Sequence, residues 1–293
     1  MLSQLTAAGF RNLTSLSLSL APGSHLFLGG NGAGKTSFLE AIYVLATTKS
    51  FRTRQIADCV RHGADLFHLA GEVLSEVNGA RARLEVAYGS DFRLRTVNGR
   101  HAPLAEHLAA LPVVAWTSAD VELLSGAPVL RRRFLDRGVV GLKPAALDIL
   151  GRYREALRHK RGLLASGGPG LEAWNELLSG VAAELIARRK AYVETLAVRL
   201  TEVVAESGLS FPPVELAYRP SPASGLAGAS AIAESLERIA DRERQRQLPL
   251  VGPHRDDLEI RWGEHEVGRV ASAGERKALS LLLLAAHGRV LDA

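Results

Sequence analysis

A chain of 293 residues, 47% of them hydrophobic, is long enough for one large domain or two ordinary ones, with ample apolar material for a core. The formal net charge is +5 and the pI about 9.6; arginine far outnumbers lysine, and guanidinium forks suit phosphate oxygens, so polyanionic partners are favoured without being required. Cys59 is the only cysteine, which excludes an intrachain disulfide and fits a reducing cytoplasm; no run of eighteen apolar residues and no basic-then-apolar leader occurs, so a membrane partner is not expected.

Residues 1–28 alternate like strands. Leu16, Leu18 and Leu20 share one face and serines the other, and Ala21-Pro22-Gly23 reads as a turn. His25-Leu26-Phe27-Leu28 is expected to be a buried strand. It enters Gly29-Gly30-Asn31-Gly32-Ala33-Gly34-Lys35-Thr36, which fits the phosphate-binding pattern G-x-x-x-x-G-K-[ST]. Glycines let the backbone wrap a polyphosphate and turn N–H groups inward. Lys35 reaches the outer phosphates, the Thr36 hydroxyl suits Mg²⁺, and the following helix aims its positive end at the same anion. Phe38, Leu39, Ile42, Tyr43 and Ala46 form the apolar stripe of that helix. A nucleotide polyphosphate with Mg²⁺ is therefore the expected ligand pair.

Residues 68–98 read as further strands, with Val97-Asn98-Gly99 as a hairpin turn, and Pro112 to Trp116 as a short apolar strand. From 143 to 207 the period becomes helical. Leu147, Leu150, Tyr153, Leu157 and Leu164 form one stripe. Trp174, Leu178, Val181, Leu185, Tyr192, Leu196, Leu200 and Val203 form a second, and Ser166-Gly167-Gly168-Pro169-Gly170 divides them. The polar faces of this αα-hairpin carry Arg152, Arg154, Arg158, Lys160, Arg161, Arg188, Arg189 and Lys190. They read either as solvated surface or as a face for DNA. Pro220 to Ser230 reads as a loop, 231–247 as a charged helix, 257–262 as a strand, and an apolar helix follows Gly274. His254, Arg255, Asp256 and Asp257 could suggest acid–base or metal chemistry, but they read better as a turn satisfying a strand end. Asp58, His62 and Asp65 lack ligand spacing.

Several separated motifs agree with one another. Phe10-Arg11-Asn12 precedes the phosphate loop; Leu39-Glu40-Ala41-Ile42-Tyr43-Val44-Leu45-Ala46 and Ser50-Phe51-Arg52 follow it. Then come Arg132-Arg133-Phe134-Leu135-Asp136, Gly252-Pro253-His254-Arg255-Asp256-Asp257-Leu258 and Ser272-Ala273-Gly274-Glu275-Arg276-Lys277. Together they resemble the RecF family of bacterial DNA replication and repair proteins, ABC-type ATPases related to SMC proteins, over residues 1 to about 290. The resemblance implies an α/β, two-lobed P-loop ATPase head formed by 1–136 and 248–293, with a helical arm at 137–247. It implies ATP held by Gly29 to Thr36 and closed over in trans by Ser272, Ala273, Gly274 and Glu275 of a second copy. Without it, Ser-Ala-Gly-Glu reads as a helix N-cap; Ala273 and Glu275 depart from the commoner glycine and glutamine. The resemblance further implies an ATP-dependent homodimer that binds gapped and duplex DNA and acts with RecR and RecO in loading RecA. After residue 280 no apolar strand ending in acidic residues appears. The carboxylates that hold Mg²⁺ and position water in this family are therefore not expected within the chain, and a truncated head with doubtful hydrolysis is expected. A nucleotide- or DNA-binding remnant without ATPase switching and a transport ATPase subunit stay open as alternatives.

Overall fold

The computed structural model describes residues 1–75, 79–167, 169–224 and 228–292. Gly168 of the expected helix breaker, residues 225–227 of the expected loop, and Ala293 lie outside them. The chain divides into two compact units, Met1–Ala115 and Trp116–Ala293.

The first unit is a six-stranded antiparallel sheet with one principal helix. Its strands are β1 (Leu2–Phe10), β2 (Leu13–Ser19), β3 (Leu66–Leu74), β4 (Arg81–Gly89), β5 (Arg93–Val97) and β6 (Arg100–His101), in the order β2-β1-β3-β4-β5-β6. Strict alternation gives the sheet two unlike faces. Leu5, Ala7, Leu69, Leu84, Val86 and Val97 are buried on one face against α1 (Lys35–Thr47), which contributes Phe38, Ala41, Val44 and Leu45. On the other, Ser15, Ser17 and Ser19 of β2 stay exposed. The Asn98-Gly99 turn forms as expected, both residues at positive φ (52° and 74°), the requirement of a tight two-residue hairpin. The short helix α2 (Leu104–Ala110) is tied to α1 by a hydrogen bond of 2.6 Å between the buried His107 ring and the Leu45 carbonyl.

Two expected strands are absent. Residues 25–28 and 112–116 adopt no strand pairing. A strand exists only through its ladder, and among the described residues neither segment has a neighbouring strand. The expected burial of 25–28 fails accordingly: Leu26 and Leu28 are each 82% exposed, and only Phe27 packs inward, 4.4 Å from the Phe38 ring.

The second unit is mainly helical. After the single turns around α3 (Glu122–Ser125) come α4 (Pro128–Leu142), α5 (Ala146–Ser166) and the 36-residue α6 (Leu171–Glu206). Then follow β7 (Val214–Arg219), α7 (Ala229–Arg246), β8 (Asp257–Trp262), β9 (His265–Glu266), α8 (Val267–Val270) and α9 (Ala273–Leu291). The αα-hairpin forms as its periodicity predicts, and Leu150, Tyr153, Leu157, Leu178, Leu185, Tyr192, Leu196 and Leu200 are all buried. Strands β7, β8 and β9 make a small antiparallel sheet.

Helices α4, α6 and α9 meet around Phe134, Tyr192 and His287. The Tyr192 hydroxyl lies 3.0 Å from His287 Nδ1, and burial pushes the imidazole pKa down to about 4. The Tyr192 ring lies directly over Gly138, where an added Cβ would stand 2.1 Å from the ring. Gly138→Ala is therefore expected to destabilise the unit by about 2–3 kcal/mol through overpacking, read as a lowered urea midpoint. Gly151→Ala, with open space around its Cβ, is the matched control and gains helix propensity instead. Equal midpoints for the two variants would refute this packing account.

Candidate nucleotide-binding site

The phosphate-binding loop hangs between Leu28 and α1. Three of its glycines need positive φ: Gly29 at 154°, Gly32 at 81° and Gly34 at 92°. Gly34 is also sterically confined, since a Cβ there would meet the Leu13 side chain at 3.1 Å and the Asn12 amide at 3.5 Å. Gly34 caps α1, and no acidic residue lies in the helix's first turn, so the positive end of the helix is unopposed. The Lys35 ammonium folds onto the loop, donating to the carbonyls of Gly29 (2.7 Å) and Gly30 (2.8 Å). Thr36 is exposed, and among the described residues nothing hydrogen-bonds its hydroxyl. The donor set fits a polyphosphate and one hard cation: a lysine, a hydroxyl and helix N–H groups, with Gly29 to Ala33 open to solvent.

Behind the loop lies a buried charge cluster that motif reading does not interpret. Glu40, on α1, is fully buried. It accepts from Arg11 Nε (3.0 Å) and Nη2 (2.6 Å), from Ser50 Oγ (2.5 Å) and from Arg52 Nη1 (3.1 Å). Burial opposes ionisation of Glu40, but the hydrogen bonds from Arg11 and Ser50 and the charges of Arg11 and Arg52 outweigh it, holding the carboxyl below the usual range. Burial pushes the neighbouring Cys59 thiol up to about 11, so it is inert at neutral pH. The signal was the co-occurrence of Phe-Arg-Asn, Leu-Glu-Ala and Ser-Phe-Arg; their pairing through Glu40 needed the fold.

In the second unit, Ser272 caps α9 in a capping box. Its hydroxyl accepts from the Glu275 N–H (3.3 Å), and the Glu275 carboxylate accepts from the Ser272 N–H (2.7 Å). These bonds hold the Glu275 pKa below the usual carboxylate range. Residues Ser272 to Glu275 are all exposed, and the first-turn N–H groups of Ala273 and Gly274 have no partner within the helix. Trp116 Nε1 donates to Ser280 Oγ (3.0 Å), and its ring lies 5.9 Å from the Lys277 ammonium, so α9 is fixed one and two turns below its start.

The Gly252-to-Asp257 turn serves packing. Arg189, expected on a polar face, is buried, donating to Asp256 (2.7 Å), Asp136 (2.7 Å) and the Pro253 carbonyl (2.8 Å). Arg131 forks onto Asp257 at 2.7 and 2.8 Å. His254 meets the Tyr153 hydroxyl at 2.7 Å, and burial lowers its pKa to about 4. Lys160 is likewise removed from the expected basic face. It is fully buried, 2.7 Å from Glu243, in an ion pair whose angles fall short of a hydrogen bond, and burial lowers its pKa. Of the other arginines of that face, Arg152, Arg154, Arg158 and Arg161 are exposed and Arg188 is half-buried. Among the described residues no group of three or more His, Cys, Asp or Glu could hold a metal ion, and no helix is long and apolar enough to cross a membrane.

A family model described as an AAA domain matches residues 4–99. The DNA replication and repair protein RecF of Myxococcus xanthus (strain DK1622) is 34% identical over 284 residues, covering 93% of this chain and 74% of that protein. That of Anaeromyxobacter sp. (strain Fw109-5) is 36% identical over 292 residues, covering 96% and 78%. The chain belongs to the RecF family. Two solved structures of the recombination mediator protein RecF of the RecFOR pathway resemble this RecF-family chain. One, described as RecF-ATPrS, has a TM-score of 0.90 at 25% identity, over 100% of this chain and 81% of its own. The other, RecF-ATP, has a TM-score of 0.89 at 25% identity, over 98% and 79%. The α/β fold is thus that of a RecF P-loop ATPase, and the chain spans about three quarters to four fifths of the length of these relatives.

Proposed function

We propose that this chain is an ATP-dependent DNA-binding protein of recombinational repair and replication restart. ATP is held by Gly29 to Thr36, with Lys35 on the outer phosphates and Thr36 on Mg²⁺. In this reading residues 1–136 and 248–293 form the ATPase head and 137–247 the arm, a functional division that cuts across the two compact units. ATP draws two copies together, with Ser272 to Glu275 of one copy closing on the γ-phosphate held by the other. In that arrangement the Ser272 hydroxyl, which accepts from the Glu275 N–H, still has its own proton to donate to phosphate. The protein is cytoplasmic, binds gapped and duplex DNA, and acts with RecR and RecO toward RecA. The observation that carries the reading is the phosphate loop itself: a lysine and an unopposed helix N-terminus converge on a cradle open to solvent.

Gel shift of a gapped duplex, with and without Mg·ATP, tests it. The expected result is an ATP-enhanced shift that weakens steeply between about 50 and 200 mM salt, because phosphate contacts release counterions. A shift indifferent to ATP would point to the nucleotide- or DNA-binding remnant, and no shift at any salt would overturn the DNA reading.

A further inference from the structure

The turn between β1 and β2 touches the phosphate loop at two places, and its own shape is unusual. Arg11 has φ of 53°, a left-handed conformation that a non-glycine residue adopts only when its surroundings hold it there. It is held there by its Glu40 fork, by Nη1 donating to the Asp58 carbonyl (2.6 Å), and by its own N–H donating to the Cys59 carbonyl (2.8 Å). The left-handed turn presents the next residue, Asn12, to the loop. Its Nδ2 donates to the Gly32 carbonyl at 2.7 Å.

That single bond has a directional consequence. A trans peptide is planar, with C=O and N–H on opposite sides. Drawing the Gly32 oxygen out toward Asn12 turns the Ala33 N–H away from Asn12. The Ala33 N–H points at the Gly30 carbonyl (3.3 Å), the same oxygen that receives the Lys35 ammonium at 2.8 Å. Two donors thus converge on one oxygen of the loop itself, and a phosphate oxygen that takes both must replace the Gly30 carbonyl there.

We propose that Asn12 is a positioning residue for this site: the Arg11–Glu40 fork fixes Asn12, and Asn12 fixes the Gly32–Ala33 peptide so that its N–H faces the polyphosphate. The inference rests on the ATP reading and deepens it. Asn12 is exposed, unlike Glu40, so it can be changed without opening the core.

The test is equilibrium titration of the full chain with Mg·ATP, alongside thermal unfolding without nucleotide. Asn12→Ala, and Asn12→Asp, which keeps the shape but loses the donor, are expected to weaken ATP about fivefold, the loss of one hydrogen bond of roughly 1 kcal/mol. Their melting temperatures are expected to match that of the unaltered chain, and Asn12→Gln, which restores the amide, is expected to recover part of the affinity. Glu40→Gln, which weakens the fork, is expected to change affinity in the same direction. If Asn12→Ala binds ATP within about twofold of the unaltered chain, or if its loss of affinity follows a loss of thermal stability, the positioning role is overturned while the ATP reading stands. If the unaltered chain fails to bind ATP, both fall together.

Discussion

Lys35→Ala is expected to weaken ATP binding by roughly 100-fold or more and, on the proposed function, to remove dimerisation on ATP, while leaving thermal unfolding unchanged. Two charge-assisted hydrogen bonds to phosphate oxygens, each worth about 1.5–3 kcal/mol, set that scale. The structure supplies the geometry: the ammonium reaches the loop interior, at 2.7 and 2.8 Å from the Gly29 and Gly30 oxygens. The fold does not depend on these contacts, because Lys35 and both carbonyls lie at the loop surface rather than in the core formed by Leu5, Leu69, Val44 and their neighbours. Lys35→Arg is not expected to rescue, since a planar fork cannot occupy the space of a compact ammonium. The measurements are ATP titration by fluorescence and light scattering with and without Mg·ATP. An alanine variant that binds ATP like the unaltered chain would remove the basis for the nucleotide assignment.

The site was legible in the sequence where chemistry is local. A phosphate loop is written in consecutive residues, because backbone conformation, helix start and lysine reach are all set within eight positions; Gly29, Gly32 and Gly34 take the positive φ values that the pattern requires. The hairpin helices were legible for the same reason. Heptad-scale stripes such as Leu178, Leu185 and Leu196 record their own burial. What was not legible depends on pairing across sequence. Leu26 and Leu28 alternate like a buried strand, yet strandness belongs to a ladder rather than to a segment, and no ladder forms there. Lys160 and Arg189 sit among exposed arginines on helices and read as surface, yet Glu243 and Asp256, far along the chain, draw them inside. Glu40 stood in one of the agreeing motifs, but its pairing was not readable there, because its partners Arg11 and Arg52 lie on either side of it in sequence and outside its helix. Lys160 and Arg189 were misread because their counter-charges are distant in sequence, while the phosphate loop was read correctly because its function uses consecutive backbone.

The second large effect concerns the buried counter-charge of misread Arg189. Asp256→Ala is expected to destabilise the helical unit by about 3–5 kcal/mol, the cost of removing one partner from a buried ion pair. Asp256 is fully buried. One carboxylate oxygen accepts from Arg189 (2.7 Å) and from the Tyr218 hydroxyl, and the other accepts from the Ser221 N–H (2.8 Å). Its loss takes an acceptor from three donors on three different segments, α6, β7 and the residues after β7. Burial opposes the Arg189 charge, while Asp136 and Asp256 overcome that and raise its pKa; without Asp256 the guanidinium keeps only the partly exposed Asp136 and the Pro253 carbonyl. The arginine cannot escape by deprotonating, as a buried lysine can. The loss therefore falls on folding itself and reads as a lower urea midpoint. The pair Asp256→Leu with Arg189→Met is expected to recover much of the loss, because apolar replacements of similar size leave no buried charge uncompensated. Glu206→Ala, which breaks the exposed pair with Arg289, is expected to leave the midpoint unchanged, since solvent screens that pair. An Asp256→Ala midpoint equal to that of Glu206→Ala would show that the buried cluster specifies nothing. A recovered double variant would show instead that its worth lies in balance, each charge being tolerated only because the other is there.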